Sequence, residues 1–138
     1  MSDVAEQLRR SLETLTRDEP KLIGRVYEDL FEHHPSVAEI FADHAHAVRS
    51  KMLRQVLEFA VDQADGATWL EENLTALGDT HEVNGVTAEM YGWFVDSLLR
   101  VFAEIAGPEW CAELEASWRT VLEQMSDRML SAEQRAAS

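Results

Sequence analysis

The sequence predicts an all-α fold. Three observations carry that prediction: apolar residues recur at helical spacing along most of the chain, no segment alternates apolar and polar residues as a strand does, and all three prolines stand at the edges of the periodic stretches. The 138 residues suit one domain, 1–138, with a core over about 4–130 and a small, polar tail at 131–138 that should fray.

Val4, Leu8, Leu12 and Leu15 form the first apolar stripe, at spacings of four, four and three. Asp18, Glu19 and Pro20 open the second helix, because acids and proline are both tolerated in a first turn. Its stripe is Leu22, Ile23, Val26, Leu30 and Phe31. Pro35, after His33 and His34, ends that helix and starts a short turn through Phe41. Met52, Leu53, Val56, Leu57 and Ala60 mark a third long helix, closed by Asp65 and Gly66. Thr68 followed by Glu71 has capping-box spacing, so a short helix should begin there and run to about His81. Asn84 and Gly85 break the chain, and Thr87 caps the next helix. That helix carries Phe94, Leu98, Phe102 and Ile105, widened by Tyr91, Val95 and Leu99. Gly107 and Pro108 break the chain again. Glu109 opens the last helix, whose stripe is Leu114, Trp118, Val121, Leu122, Met125 and Met129. The tally is about five long helices and two short ones. Helices of unequal length crossing at steep angles leave a pocket between them, which suits this chain better than a regular four-helix bundle.

Charge narrows the partners. With 26 acidic and 12 basic side chains the net charge is −14, which repels nucleic acid and anionic membranes over most of the surface. Arg49, Lys51 and Arg54 stand close together, and no further Lys or Arg occurs before Arg100. That cluster is either a local counter-charge for an anionic ligand or a solvated helix face. The N-terminal MSDVAEQLRR has no apolar centre and so is not a secretory signal. No apolar run is long enough for a membrane span. A single cysteine, Cys111, rules out an internal disulfide and suits a reducing, cytoplasmic setting.

The chemistry-bearing residues are few. Of five histidines, His44 and His46 are not at one-turn spacing and Cys111 is distant in sequence, so a zinc cage is disfavoured. His33 and His34 precede Pro35 at a helix end, where solvent is expected. His81 ends a face made by Leu70, Leu74 and Leu77, at spacings of four, three and four. Taken alone, such an imidazole is more often a boundary residue than a ligand. The chain has no Gly-x-Ser-x-Gly element and no glycine-rich phosphate loop, and Cys111 has no basic helper nearby in sequence.

Val26-Tyr27-Glu28-Asp29-Leu30-Phe31 is followed by Pro35 and Phe41. Leu77-Gly78-x-x-His81 is followed by Gly85-Val86 and Tyr91, and Trp118 stands in the last helix. In this joint spacing, over about residues 4–130, the chain resembles the globins, in particular bacterial single-domain globins and the haem domain of flavohaemoglobins. The resemblance implies a globin fold enclosing a haem pocket, with haem b as cofactor. It implies that His81 is the proximal ligand of the iron, with its other ring N–H donating to a backbone carbonyl near Leu77. Phe41 matches the aromatic that packs on the haem face. Tyr27 matches the distal tyrosine that hydrogen-bonds a bound ligand; the alternative is a core tyrosine bonded to a carbonyl.

Counting back from His81 puts Leu53 at the apolar distal position. Arg49 then falls at the distal gate, where relatives mostly carry Gln or His. An arginine there would pair a haem propionate or steady a polar ligand. A slip of one to three residues would put Val48 or Lys51 at the gate instead, and the present count leaves Arg54 at a position usually buried. His44 and His46 are candidate sixth ligands if the corner folds inward. On the proximal side Tyr91 matches the tyrosine of a His–Tyr–Glu network whose carboxylate would fall near Glu133. Leu122 stands where relatives often carry tyrosine. Leu77, Val86, Tyr91 and Val95 are expected to line the pocket, and Phe94, Phe102, Trp118 and Met125 to be core.

The function so implied is reversible binding of dioxygen at ferrous iron, with NO and CO as further diatomic ligands, for oxygen transport, scavenging or sensing rather than catalysis. Nitric-oxide dioxygenation or peroxidase-like turnover is the alternative. It would require a separate reductase, because the chain has no room for a flavin or nicotinamide domain. A haem-free globin-fold module in signalling is the third reading, and the presence of both His81 and Phe41 speaks against it. No nucleic-acid or membrane partner is expected, and the oligomeric state is left open.

Overall fold

A computed structural model describes residues 3–42, 46–131 and 134, with the backbone only at position 46. Among the described residues there are seven α-helices and no strand: α1 (Asp3–Leu15), α2 (Glu19–His33), α3 (Pro35–Phe41), α4 (His46–Ala64), α5 (Leu70–Val83), α6 (Ala88–Ala106) and α7 (Ala112–Met129). The described helices include none long and apolar enough to cross a membrane.

Local chemistry accounts for most boundaries. Asp18 caps α2 by accepting the Lys21 N–H at 3.2 Å, and Pro20 sits in the first turn, where its missing N–H costs nothing. The N–H of His34 closes the helix onto the Leu30 carbonyl at 2.9 Å. Pro35–Phe41, expected as a turn, is a seven-residue helix. Gly66, at φ 75°, turns the chain after α4, a conformation that L side chains rarely adopt.

Two starts differ from expectation. α5 begins at Leu70 with no side-chain cap, so the Thr68–Glu71 box does not form. α7 begins at Ala112 rather than Glu109, because Gly107–Glu109 is a 3-10 turn and Trp110 and Cys111 are extended. Trp110 sets its ring edge-on against Phe102, with centroids 6.0 Å apart. Burying that indole outweighs starting the helix three residues earlier.

The core forms where α2 lies on α6, α5 on α7, and α1 against α4, α6 and α7. Leu8, Leu22, Val26, Leu57, Leu98 and Phe102 belong to one continuous buried cluster. Trp118 is its largest wholly buried member, packed edge-on to Phe102 at 5.0 Å, and its indole N–H donates to Ser11 Oγ at 2.9 Å. That bond satisfies a donor that burial would otherwise strand. Asp29 of α2 is buried against Arg100 of α6, whose Nη2 is 2.8 Å from its carboxylate. Burial pushes the Asp29 carboxyl pKa up, but hydrogen bonds from Arg100 and Ser97 outweigh that and hold it below the usual value.

α5 and α7 approach so closely that a Cβ built on Gly78 would lie 1.9 Å from the Met129 carbonyl oxygen. The Leu77-Gly78 step therefore has a packing reason: only glycine lets α5 rest on the end of α7. One turn beyond that contact stands His81.

Candidate functional site

A cavity of about 280 Å³ opens between helices α2 to α7. Its walls are mostly apolar: Val37, Ile40 and Phe41 from α3, Val48, Met52, Val56 and Phe59 from α4, and Leu74 and Leu77 from α5. Phe94, Val95 and Leu98 from α6, with Leu122, Met125 and Met129 from α7, complete them. His81 reaches this space from the last turn of α5.

His81 is half-buried, and burial pushes its pKa below the ordinary imidazole value, so the neutral ring is favoured. Its Nδ1 lies 3.3 Å from the Tyr91 hydroxyl on α6. Burial, helped by the Glu82 charge, pushes the Tyr91 pKa up to about 12, so that phenol keeps its proton. When Nδ1 carries the imidazole hydrogen, it donates to Tyr91 Oη and leaves the Nε2 lone pair free to bind a metal. The ring's orienting partner is thus Tyr91, where a carbonyl near Leu77 was expected. Glu82, next to His81 in the chain, accepts from Ser131 Oγ at 3.1 Å. Its carboxylate acts on Tyr91 electrostatically. Glu133, the expected carboxylate of this network, and His44 lie outside the described residues, as does the side chain of His46.

The opposite polar pair sits one layer back from the cavity. Tyr27 is buried, and its hydroxyl donates to the Arg49 carbonyl at 2.8 Å. Burial drives the phenol pKa well above its ordinary value, although the Arg49 charge opposes this. Arg49 Nη2 donates to the Phe41 carbonyl at 2.9 Å, and the guanidinium carbon lies 5.6 Å from the Phe31 ring centre and 5.9 Å from that of Phe41. Its Nε is buried without a hydrogen-bond partner among the described residues. The rings of Tyr27 and Phe41 meet edge-on at 5.3 Å. These four side chains form one brace across α2, α3 and α4, and only Phe41 of the four lines the cavity.

The sequence-predicted residues therefore divide. Phe41, Leu77, His81, Val86, Tyr91 and Val95 share the cavity wall. Tyr27 and Arg49 stand behind it, and Leu53 is wholly buried in the core cluster. Of those expected as core, Phe94 and Met125 line the cavity, whereas Phe102 and Trp118 do not. Lys51 is exposed, and Arg54 forms an ion pair with Glu19 on the surface.

The α4 stripe explains the difference at Leu53. Leu53, Leu57 and Ala60 turn to the core, while Val48, Met52, Gln55, Val56 and Phe59 turn to the cavity, so what reads as one broad stripe is two adjoining faces. Gln55 was missed altogether. The signal was there: Val48, Met52, Gln55 and Phe59 are spaced four, three and four apart.

Among the described residues, seven helices fold around an apolar cavity that the half-buried imidazole of His81 enters, and this is the architecture of a globin. Residues 24–129 match the Globin family profile, and the chain belongs to that family. Among solved structures it is similar to protein PA3967 from Pseudomonas aeruginosa PAO1, described as structurally highly homologous to a human hemoglobin. The TM-score is 0.80 at 21% sequence identity, over 92% of this chain and 95% of that one. At that identity the likeness establishes the fold alone. No curated protein matches this sequence.

The residues present fit a haem. No group of three or more His, Cys, Asp and Glu among the described residues could cage a metal. The neutral His81 imidazole suits a metal already held within a macrocycle, and apolar walls with an aromatic at Phe41 suit a flat one.

Proposed function

We propose that this globin binds haem b through His81 and takes up dioxygen reversibly, with NO and CO as further ligands. The observation that carries the proposal is the His81 imidazole in an apolar cavity, neutral by burial and oriented by Tyr91. Bound haem supplies a ferrous iron at which a diatomic molecule coordinates reversibly. The chain's own part is to bind, orient and keep out water. Nδ1 of His81 would donate to Tyr91, which presents Nε2 in a fixed orientation. Phe41, Leu77, Val86 and Val95 would contact the macrocycle. Tyr27 and Arg49 would hold Phe41 and the start of α4 in place, with Leu53 supporting α4 from the core side. We read the role as ligand binding. Turnover, as in nitric-oxide dioxygenation or peroxidase-like chemistry, would need electrons from a separate reductase.

The test is reconstitution with haemin. The parent chain should develop an intense Soret band, and His81→Ala should abolish or severely weaken it. A parent that stays colourless with haemin, or an alanine variant that binds haem as well as the parent, would overturn the proposal.

A further inference from the structure

Met52, Met90, Met125 and Met129 are the methionines among the described residues, and all four line the cavity. A thioether is soft and oxidisable, and its sulfoxide is polar. The four differ in what would meet that polar oxygen. Met125 is buried, Met52 and Met129 are half-buried, and none of the three has a hydrogen-bond donor at its sulfur among the described residues. Met90 is half-buried and differently placed. It stands three residues past Thr87, the N-cap of α6, and the Thr87 backbone N–H donates to its Sδ at 3.5 Å. A glutamate or glutamine at that position of a capping box offers an oxygen to the same N–H. Thioether sulfur is a weak acceptor, so the Thr87 donor is aimed at Met90 but only weakly satisfied.

We propose that Met90 is a modification site: hydrogen peroxide oxidises its thioether to the sulfoxide, and the Thr87 N–H takes the new oxygen as its acceptor. A sulfur lone pair attacks one peroxide oxygen, and the S–O bond forms as the O–O bond breaks. The proton on the transferred oxygen passes to the departing one, which leaves as water. Sulfur gives up two electrons and the peroxide takes them. Negative charge gathers on the transferred oxygen, and at Met90 an N–H already stands beside it. At Met52, Met125 and Met129 the same oxygen would enter an apolar wall with no donor at the sulfur, which costs free energy. The sulfoxide of Met90 leaves the start of α6 capped and sets a polar group on the cavity wall next to Tyr91, whose hydroxyl faces His81. Oxidation at this position therefore changes the polarity of the cavity without unfolding the helix that frames it.

The experiment treats the full chain with limiting hydrogen peroxide. Cyanide on any bound haem iron restricts the reaction to direct oxygen transfer, so the result is readable whether or not haem is present. Peptide mass mapping should show Met90 gaining one oxygen first of these four, about fivefold faster than Met125 and at least about twofold faster than Met52 and Met129. In the chain oxidised at Met90, the Thr87 amide hydrogen should exchange about threefold more slowly than in the parent, with unchanged helical circular dichroism. Met90→Gln carries a carboxamide oxygen within reach of the same N–H and should match the oxidised chain. Met90→Leu has no acceptor and should exchange faster than the parent. If Met90→Leu does not fold, Met90→Gln and the oxidised chain carry the comparison. Oxidation of Met52 or Met129 ahead of Met90, or Thr87 exchange that is unchanged or faster in the sulfoxide, overturns the assignment.

Discussion

Replacing Gly78 with alanine should force α5 away from α7. The added Cβ would lie 1.9 Å from the Met129 carbonyl oxygen, 2.7 Å from its carbon and 2.8 Å from the Met129 Cα, whereas real Cβ contacts essentially never fall under 3.0 Å. All three neighbours are backbone atoms, so no rotamer change relieves the clash, and the two helices must separate by at least about 1.1 Å. Overpacking of this kind costs about 1–3 kcal/mol, and more when backbone must move. Alanine's better helix propensity returns about 0.5–1 kcal/mol, for a net loss of roughly 2 kcal/mol. Gly24 is the control. It lies exposed in the middle of α2 with nothing within 4 Å of a built Cβ, so Gly24→Ala should gain about 0.5–1 kcal/mol. Urea denaturation of the parent and both variants measures the difference, which should be about 3 kcal/mol between the two alanine chains. Because His81 stands one turn past Gly78, the haem-loaded Gly78→Ala chain should also lose haem faster than the parent. A Gly78→Ala protein as stable as Gly24→Ala would refute the argument that backbone contact dictates this glycine.

Three further outcomes follow from the same geometry. Tyr27→Phe removes the hydroxyl that donates to the Arg49 carbonyl and should lower stability by about 1 kcal/mol in a urea titration. Trp118→Phe leaves the Ser11 hydroxyl without its indole donor and hollows the core beside Phe102. It should cost about 2 kcal/mol by the same measurement, and a loss under 0.5 kcal/mol would mean the core closes over the gap. Arg100→Met should cost about 2–3 kcal/mol at neutral pH, because the Asp29 carboxylate stays buried after its main partner is gone. The Asp29 pKa is depressed in the folded chain, so its contribution is present above the ordinary value of 3.8 and is lost as pH falls through the lower folded value. In Arg100→Met burial is opposed by Ser97 and His33 alone, so the folded Asp29 pKa rises and the part of the acid-side loss that Asp29 contributes should shrink. Stability measured from pH 7 to pH 3 checks the direction: the gap between parent and variant should narrow as pH falls, and a gap that widens would contradict it.

The helices were legible because each needs one apolar face, and that need writes a period into the chain whatever the helix later packs against. The break at Asn84-Gly85 and the proline at the start of α2 were legible for a local reason, since backbone conformation there depends on one or two residues. Thr68 and Glu109 misled for the opposite reason. Both have the local chemistry of a helix start, and at Glu109 the burial of Trp110 against Phe102 overrides it. His81 needed the joint spacing with Tyr27, Phe41, Gly85-Val86 and Tyr91 to stand out from an ordinary boundary histidine.

The sequence by itself determined the all-α class, the family resemblance and which half of α5 carries the imidazole, because these follow from local periodicity and short motifs. Which face of α4 meets the cavity was decided only in three dimensions. Leu53 and Met52 are equally apolar, and the crossing of α4 with α1 and α7 sends one to the core and the other to the wall. The same holds for Tyr27, whose hydroxyl could serve a ligand or a carbonyl, and which finds the Arg49 carbonyl once α2 and α4 are brought together. A hydrogen bond between residues 22 positions apart is settled by the path of the chain between them, which no local pattern records.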